Sequence, residues 1–176
     1  MFLETRRLII RKFEEKDFND YCAYSLGDPE RDRMMGRNPL NTVENVRLNF
    51  DWLKNKEERG YVLELKENGK VVGNLTVYNK TPVESREELK GKRGRSMSFG
   101  ISREYQRRGL MEEALSAVID KLFQEEQAEY IHCGCFDFNL PSLNLQRKLG
   151  FVYLTTEHFE MEDAAFLGIE NILWCP

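Results

Sequence analysis

No run of about eighteen apolar residues occurs in this 176-residue chain, so no helical membrane span is expected. The opening residues, Met-Phe-Leu-Glu-Thr-Arg-Arg, lack the apolar stretch of a secretion signal, and the expected location is the cytoplasm. A basic excess is missing as well. The 26 Lys and Arg are outnumbered by 30 Asp and Glu, for a formal charge of −4, which argues against a nucleic acid held by phosphate neutralisation. Cysteine is sparse, at Cys22, Cys133, Cys135 and Cys175. Cys133-Gly134-Cys135 is not the C-x-x-C knuckle of a structural zinc site and has no matching second pair, so no metal is expected and the thiols read as reduced. Internal repeats, low-complexity tracts, a Walker lysine, a full dinucleotide fingerprint and an evident Ser-His-Asp arrangement are absent too. His132 and His158 lie in strand-like runs with nothing in the spacing to pair them with a nucleophile, and both read as structural.

What remains suits one domain spanning 1–176, at 41% hydrophobic and 32% charged residues. Arg7 to Phe13 predicts a first strand. Asp17 then fits a helix N-cap, with Phe18, Tyr21, Cys22 and Ser25 at helical spacing and Gly27-Asp28-Pro29 as the stop. Residues 30–41 read as a loop or short helix, and Thr42 caps a helix with Val46, Phe50 and Leu53 on one face. Asn68-Gly69 between two strand-like runs, Tyr61 to Lys66 and Val71 to Tyr78, is a strong hairpin signal. Residues 84–95 carry both charge signs and almost no apolar side chains, and predict an exposed, mobile hairpin loop, with a substrate-facing flap as the alternative.

Further strands follow at Met97 to Ser102, Tyr130 to Phe138, Phe151 to Phe159 and Phe166 to Trp174, with a turn at residues 160–163. Leu110, Met111, Ala114, Leu115, Val118, Ile119, Leu122 and Phe123 form the buried stripe of a helix running to about Gln127. Pro141 suits the first turn of another helix, which Gly150 ends. The order β-α-α-β-β-β-α-β-α-β-β implies an α/β class: a mixed, mostly antiparallel sheet flanked by helices.

One junction carries chemistry. Gln106-Arg107-Arg108-Gly109-Leu110-Met111 lies between a strand and a strongly amphipathic helix. Unpaired amides and the positive end of a helix dipole converge at such a turn and suit a pyrophosphate. Gly109 would let backbone approach phosphate closely, and Arg107 and Arg108 would add charge. Taken alone, the hexapeptide reads first as a solvated basic turn with a glycine.

About thirty residues downstream, Asn139-Leu140-Pro141-Ser142 is followed by Leu145, Lys148 and Gly150-Phe151. With the turn, these residues resemble the GCN5-related N-acetyltransferase superfamily. Thr5-Arg6-Arg7-Leu8-Ile9-Ile10-Arg11, with Phe13 and Asp17, resembles the opening of its branch containing ribosomal-protein N-terminal-alanine acetyltransferases. The resemblance implies transfer of an acetyl group from acetyl-CoA to a primary amine, either a protein N-terminus or a small molecule. The competing reading is a non-catalytic acyl-CoA-binding or regulatory module on the same fold. A third, a nucleotide-binding protein using the same turn, is disfavoured by the Asn139 to Phe151 segment. A monomer or homodimer is expected, without nucleic-acid or membrane partners.

The resemblance also distributes roles. Backbone amides of Phe99, Gly100 and Ile101 would hold the pantetheine arm and thioester carbonyl, and Gly100 would mark a bulge or a packing accommodation. Residues Gln106, Arg107, Arg108, Gly109, Leu110 and Met111 would hold the pyrophosphate. Met111 stands where the family usually has Gly or Ala, which backbone contacts tolerate if its side chain turns into the core. Asn139 would contact a pantetheine amide. Many relatives carry a tyrosine that protonates the leaving thiolate; the matching residue is Gln146, which cannot, so Ser142 is the substitute donor and loss of the Gln146 side chain is expected to matter little. For the base, Glu64, Asp137 and Glu104 are candidates by strand position only, Glu64 first among them.

Overall fold

The computed structural model describes residues 2–55, 59–161 and 164–176. Its elements are β1 (Leu3–Glu4), β2 (Leu8–Lys12), α1 (Phe18–Ser25), α2 (Pro29–Met34), α3 (Val43–Asn55), β3 (Arg59–Leu65), β4 (Val71–Tyr78), β5 (Gly94–Ile101), α4 (Leu110–Gln124), β6 (Tyr130–Phe136), α5 (Leu140–Lys148), β7 (Val152–Met161) and β8 (Ala164–Trp174). The class is α/β with mostly antiparallel pairing, as the hydrophobic patterning implies. The chain forms two compact units, one of residues 1–77 and 99–118, the other of residues 78–98 and 119–176.

In the first unit the strands run β1-β2-β3-β4 with the end of β5 beyond β4. β2 and β3 pair antiparallel from Leu8↔Leu65 to Lys12↔Tyr61. The β3–β4 hairpin closes at Asn68-Gly69, where Gly69 takes φ +73° and Leu65 N–H donates to Lys70 O at 2.9 Å. β4 is buried along Val71 to Val77. Thr42 caps α3 as its sequence suggests, its Oγ1 accepting from Asn45 N–H at 3.1 Å. Val46, Phe50 and Leu53 from that helix enter one core with Phe13, Tyr21, Leu40, Val62 and Val71. Phe50 meets Phe13 and Phe18 edge-on at 5.5 and 5.3 Å. Truncating so buried an aromatic costs about 3–5 kcal/mol.

Asp17 stands at the N-cap of α1 but makes no side-chain capping bond there. Its carboxylate instead takes two bonds from Arg11, each 2.8 Å, and one from Glu14 N–H. A buried guanidinium outcompetes a helix amide because both partners are charged. β1 precedes the expected first strand, and for residues 30–41 the short-helix alternative holds: α2 runs Pro29–Met34, with Asp28 Oδ1 accepting from Arg31 N–H at 3.0 Å as its cap.

In the second unit the start of β5 pairs parallel with β6, from Gly94↔Tyr130 to Ser96↔His132. β6 pairs antiparallel with β8, and β8 with β7. Val83, Leu89, Tyr130 and Ile172 form its core cluster. Residues 84–95 therefore differ from a loose loop. Leu89 is buried, Arg93 N–H donates to Glu129 Oε2 at 2.7 Å, and β5 opens at Gly94 rather than Met97. One leucine among many charges is enough to seat the segment. β7 and β8 extend to Met161 and from Ala164, so the first half of the expected 160–163 turn is strand, while Glu162 and Asp163 fall outside the described residues. Among the described residues, no helix is long and apolar enough to cross a membrane.

Candidate active site

The turn expected to hold a pyrophosphate belongs to the first unit. After β5, a short 3-10 turn (Arg103–Tyr105) leads to Gln106, and α4 begins at Leu110. Arg107 takes φ +57° and Gly109 φ +72°. Left-handed residues are what a turn needs for successive N–H groups to converge, an arrangement that concentrates partial positive charge. A non-glycine residue in the left-handed region is strained, and Arg107 bears that strain at the motif. A Cβ on Gly109 would meet only Arg7 Nη2, at 3.5 Å. The requirement for glycine is thus conformational and leaves the approach open.

The turn is tied down from the segment between β1 and β2. Glu113, in the first turn of α4, accepts from Thr5 Oγ1 at 2.6 Å, Arg7 N–H at 2.7 Å and Arg7 Nε at 2.7 Å. Arg7 Nη1 donates to Arg108 O at 2.9 Å. Burial works against ionising Glu113, but the bonds from Thr5 and Arg7 outweigh it and hold its carboxyl below the ordinary range. Arg108 stands over the Tyr105 ring at 4.9 Å, leaving Gln106, Arg107 and Gly109 exposed beside it. Met111 is buried, as a residue tolerated at that position has to be.

The end of β5 supplies the other first-unit candidates. Phe99, Gly100 and Ile101 are each half-buried. Ser102 N–H donates to Val72 O at 2.7 Å, so β4 occupies that edge of β5. Amides alternate between edges along a strand, which places those of Phe99 and Ile101 on the other edge and that of Gly100 toward β4. Gly100 packs beside Gly73, whose Cβ would fall 2.7 Å from Gly100 O. A register irregularity occurs in β3 at Leu63/Glu64; Gly100 serves close packing.

In the second unit, Asn139 caps α5, its side chain accepting from Ser142 N–H at 3.3 Å. Ser142 Oγ accepts from Gln146 Nε2 at 3.0 Å. Gln146 is buried, its Nε2 also lying 3.4 Å from Cys135 Sγ and its Oε1 accepting from Asn171 Nδ2 at 2.8 Å. Burial pushes the Cys135 thiol up, and hydrogen bonds from Ser142 and Gln146 pull it partly back. Gln146 is thus the hub that fixes Ser142, a role sequence spacing did not suggest.

The carboxylates named as candidate bases have other partners or none near the motif. Glu64 Oε2 accepts from Arg11 Nε at 2.7 Å, in the same network as Asp17. Glu104 lies 3.9 Å from Lys70 Nζ and is exposed, and Asp137 is exposed after β6. His158 is exposed in β7. His132 is buried: its Nδ1 lies 2.9 Å from Ser96 Oγ, and its Nε2 bonds Glu170 Oε2. A Ser-His-Glu row therefore exists where none was evident. Strand register builds it, placing Ser96 opposite His132 and Glu170 opposite Gly134. No group of three or more His, Cys, Asp or Glu that could hold a metal ion occurs among the described residues. A cavity of about 420 Å³, lined by residues such as Arg93, Phe123 and Trp174, includes none of the motif residues.

Comparison with known proteins accords with this arrangement. Residues 7–152 match the family described as the acetyltransferase (GNAT) domain. The Bacillus subtilis (strain 168) protein YnaD, an uncharacterized N-acetyltransferase, is 23% identical over 152 residues, covering 85% of this chain and 82% of YnaD. A GNAT-family acetyltransferase from Bacillus anthracis superposes with a TM-score of 0.84 at 19% identity, over 99% of this chain and 98% of that one. A ribosomal-protein-S5-alanine acetyltransferase from Vibrio fischeri superposes with a TM-score of 0.70 at 17% identity, over 99% and 97%.

Proposed function

The chain belongs to the GNAT acetyltransferase family and is an N-acetyltransferase; from that premise we propose that residues 1–176 form one catalytic domain acetylating a primary amine of a small molecule or a peptide N-terminus. GNAT enzymes use acetyl-CoA. The observation that carries the assignment of its site is the paired left-handed turn at Arg107 and Gly109 before α4. Its inward amides suit a pyrophosphate, with Arg107 and Arg108 adding charge. The outward-edge amides of Phe99 and Ile101 suit pantetheine amides and the thioester carbonyl, and Asn139 suits a pantetheine amide.

An alkylamine has a pKa of about 10 and must lose a proton before it attacks. Glu64 Oε2 is bonded to Arg11 Nε, so solvent takes that proton in our reading. Polarisation of the carbonyl falls to the β5 amides. Ser142, fixed by Gln146, donates to the departing thiolate. The test is a thermal shift with acetyl-CoA followed by an amine screen with thiol detection. A shift that weakens with a ligand lacking the pyrophosphate, together with saturable thiol release, supports the reading. No shift at millimolar acetyl-CoA overturns it. A shift with no thiol release from any amine leaves an acyl-CoA-binding module.

A further inference from the structure

The first unit holds a guanidinium whose partners are all neutral. Arg31, in α2, stands over the Tyr24 ring at 4.9 Å. Its Nη1 donates to Ser25 Oγ at 2.7 Å and its Nη2 to Asn74 Oδ1 at 3.3 Å. Its Nε is buried and has no hydrogen-bond partner among the described residues. The acids nearby are engaged by other cations: Asp32 by Arg37, and Asp28 and Glu30 by Arg103. A partly desolvated cation without a counter-charge is unfavourable, and a ligand anion relieves it.

The placement of Arg31 on β5 indicates which ligand. Its Nη2 and Nε lie 3.4 and 3.7 Å from the position a Cβ would take on Gly100. Those two nitrogens form the side-on edge with which a guanidinium grips a carboxylate through parallel bonds. A thioester carbonyl accepting from the Phe99 or Ile101 amide lies near the plane of the strands. An amine reaches a carbonyl carbon from above or below its plane, hence from a face of β5. Side chains of Phe99 and Ile101 project on one face. On the other, Gly100 brings no side chain, and Arg31 packs there together with Met35 Sδ, 3.9 Å from the same Cβ position.

Resting on the acetyl-transfer reading above, we propose that Arg31 binds a carboxylate of the acceptor, so that the substrate is a primary amine also bearing a carboxylate, of the amino-acid or short-peptide class. The carboxylate draws the Arg31 guanidinium off Gly100 and is held by it, and the amine enters on the face so uncovered, which orients the nucleophile. Its lone pair forms the new C–N bond, the C–S bond breaks, the thiolate takes a proton, and the nitrogen gives one up.

The test compares α-amino acids, ω-amino acids and dipeptides, each beside its carboxamide, by thiol release from acetyl-CoA. Loss of a charge-assisted pair lowers kcat/KM by about tenfold to a hundredfold. In at least one series the acid is expected to exceed the amide by that margin. Arg31→Met is expected to bring the ratio near one, and Arg31→Lys, which keeps the charge but loses the fork, to leave an intermediate ratio. An acetyl-CoA thermal shift on each variant controls for folding. Amides used as well as acids in every series, acids never used, or an unchanged ratio in a folded Arg31→Met overturns the proposal. An acetyl-CoA shift that vanishes in the wild type overturns the cofactor reading instead. A shift lost only in a folded Arg31→Met places Arg31 on the cofactor and overturns the acceptor assignment.

Discussion

Glu113 binds Arg7 twice, one carboxylate oxygen taking the Arg7 backbone N–H and the other its Nε, both at 2.7 Å. The same arginine reaches Arg108 O, so this pair fixes the turn between β5 and α4 from the residue just before β2, far away in sequence. A carboxyl held low in the fold contributes stability above its unfolded pKa, about 4.3 for Glu. That contribution fades as pH falls through the folded value. Glu113→Gln is therefore expected to be less stable than the parent at pH 7 by about 1 kcal/mol. The gap should start to narrow as pH falls below about 4.3 and close only once pH is below the lowered folded value, where the parent carboxyl is protonated too. Urea melts at pH 7 and at acid pH check this; a gap independent of pH rejects the account.

A Cβ on Gly109 would touch only the end of the Arg7 side chain, and its φ is +72°. A β-branched side chain there costs about 1–3 kcal/mol through backbone conformation and pushes the amides out of their inward curl. Gly109→Val is expected to raise the acetyl-CoA dissociation constant about tenfold or more while the fold persists. Calorimetric titration beside circular dichroism tests it. Unchanged affinity would place the phosphates elsewhere.

Ser142 and Gln146 separate chemistry from support. Ser142→Ala is expected to lower kcat on the order of a hundredfold with little change in acetyl-CoA affinity, because a bond to developing thiolate charge acts in the transition state. Sequence spacing implied that removing the Gln146 side chain would be harmless. Its burial and its bonds to Ser142 and Asn171 reverse that expectation: Gln146→Ala should lose about 1–3 kcal/mol of stability and should also slow turnover. Denaturation and steady-state kinetics on both variants separate the effects.

Burial pushes the thiols of Cys133 and Cys135 up, whereas Cys175 is exposed. The thiolate is the reactive form, so iodoacetamide at neutral pH should label Cys175 first, Cys135 slowly and Cys133 last. Peptide mass spectrometry over time gives the order. Bound acetyl-CoA should slow Cys135 further, since Ser142 adjoins it.

Features set by nearby residues were readable in the chain. Asn68-Gly69 announces its hairpin, Thr42 its helix, and the Leu110 to Leu122 stripe its buried face, because each depends on a few residues and one period. The glycine turn before α4 was visible for the same reason. Partners joined only by register were not. Ser96, His132 and Glu170 lie on three strands, and no spacing rule links them. Glu64 looked available because its occupant, Arg11, is 53 positions away in sequence. Asp17 has the composition of a cap, yet the same arginine claims it. Arg31 gave no sign, since what distinguishes it is the lack of a carboxylate partner among the described residues.

The Arg7–Glu113 tie also bears on the order of folding. It joins residues 106 positions apart, whereas the Asn68-Gly69 hairpin closes over a few. Loop-closure entropy favours short closures first, so strand structure should return before the phosphate turn does. In a refolding experiment, recovery of acetyl-CoA affinity should trail the β-sheet signal, and Glu113→Gln should widen that delay. The competence to bind would then be the last thing this chain acquires on folding and the first it loses on unfolding.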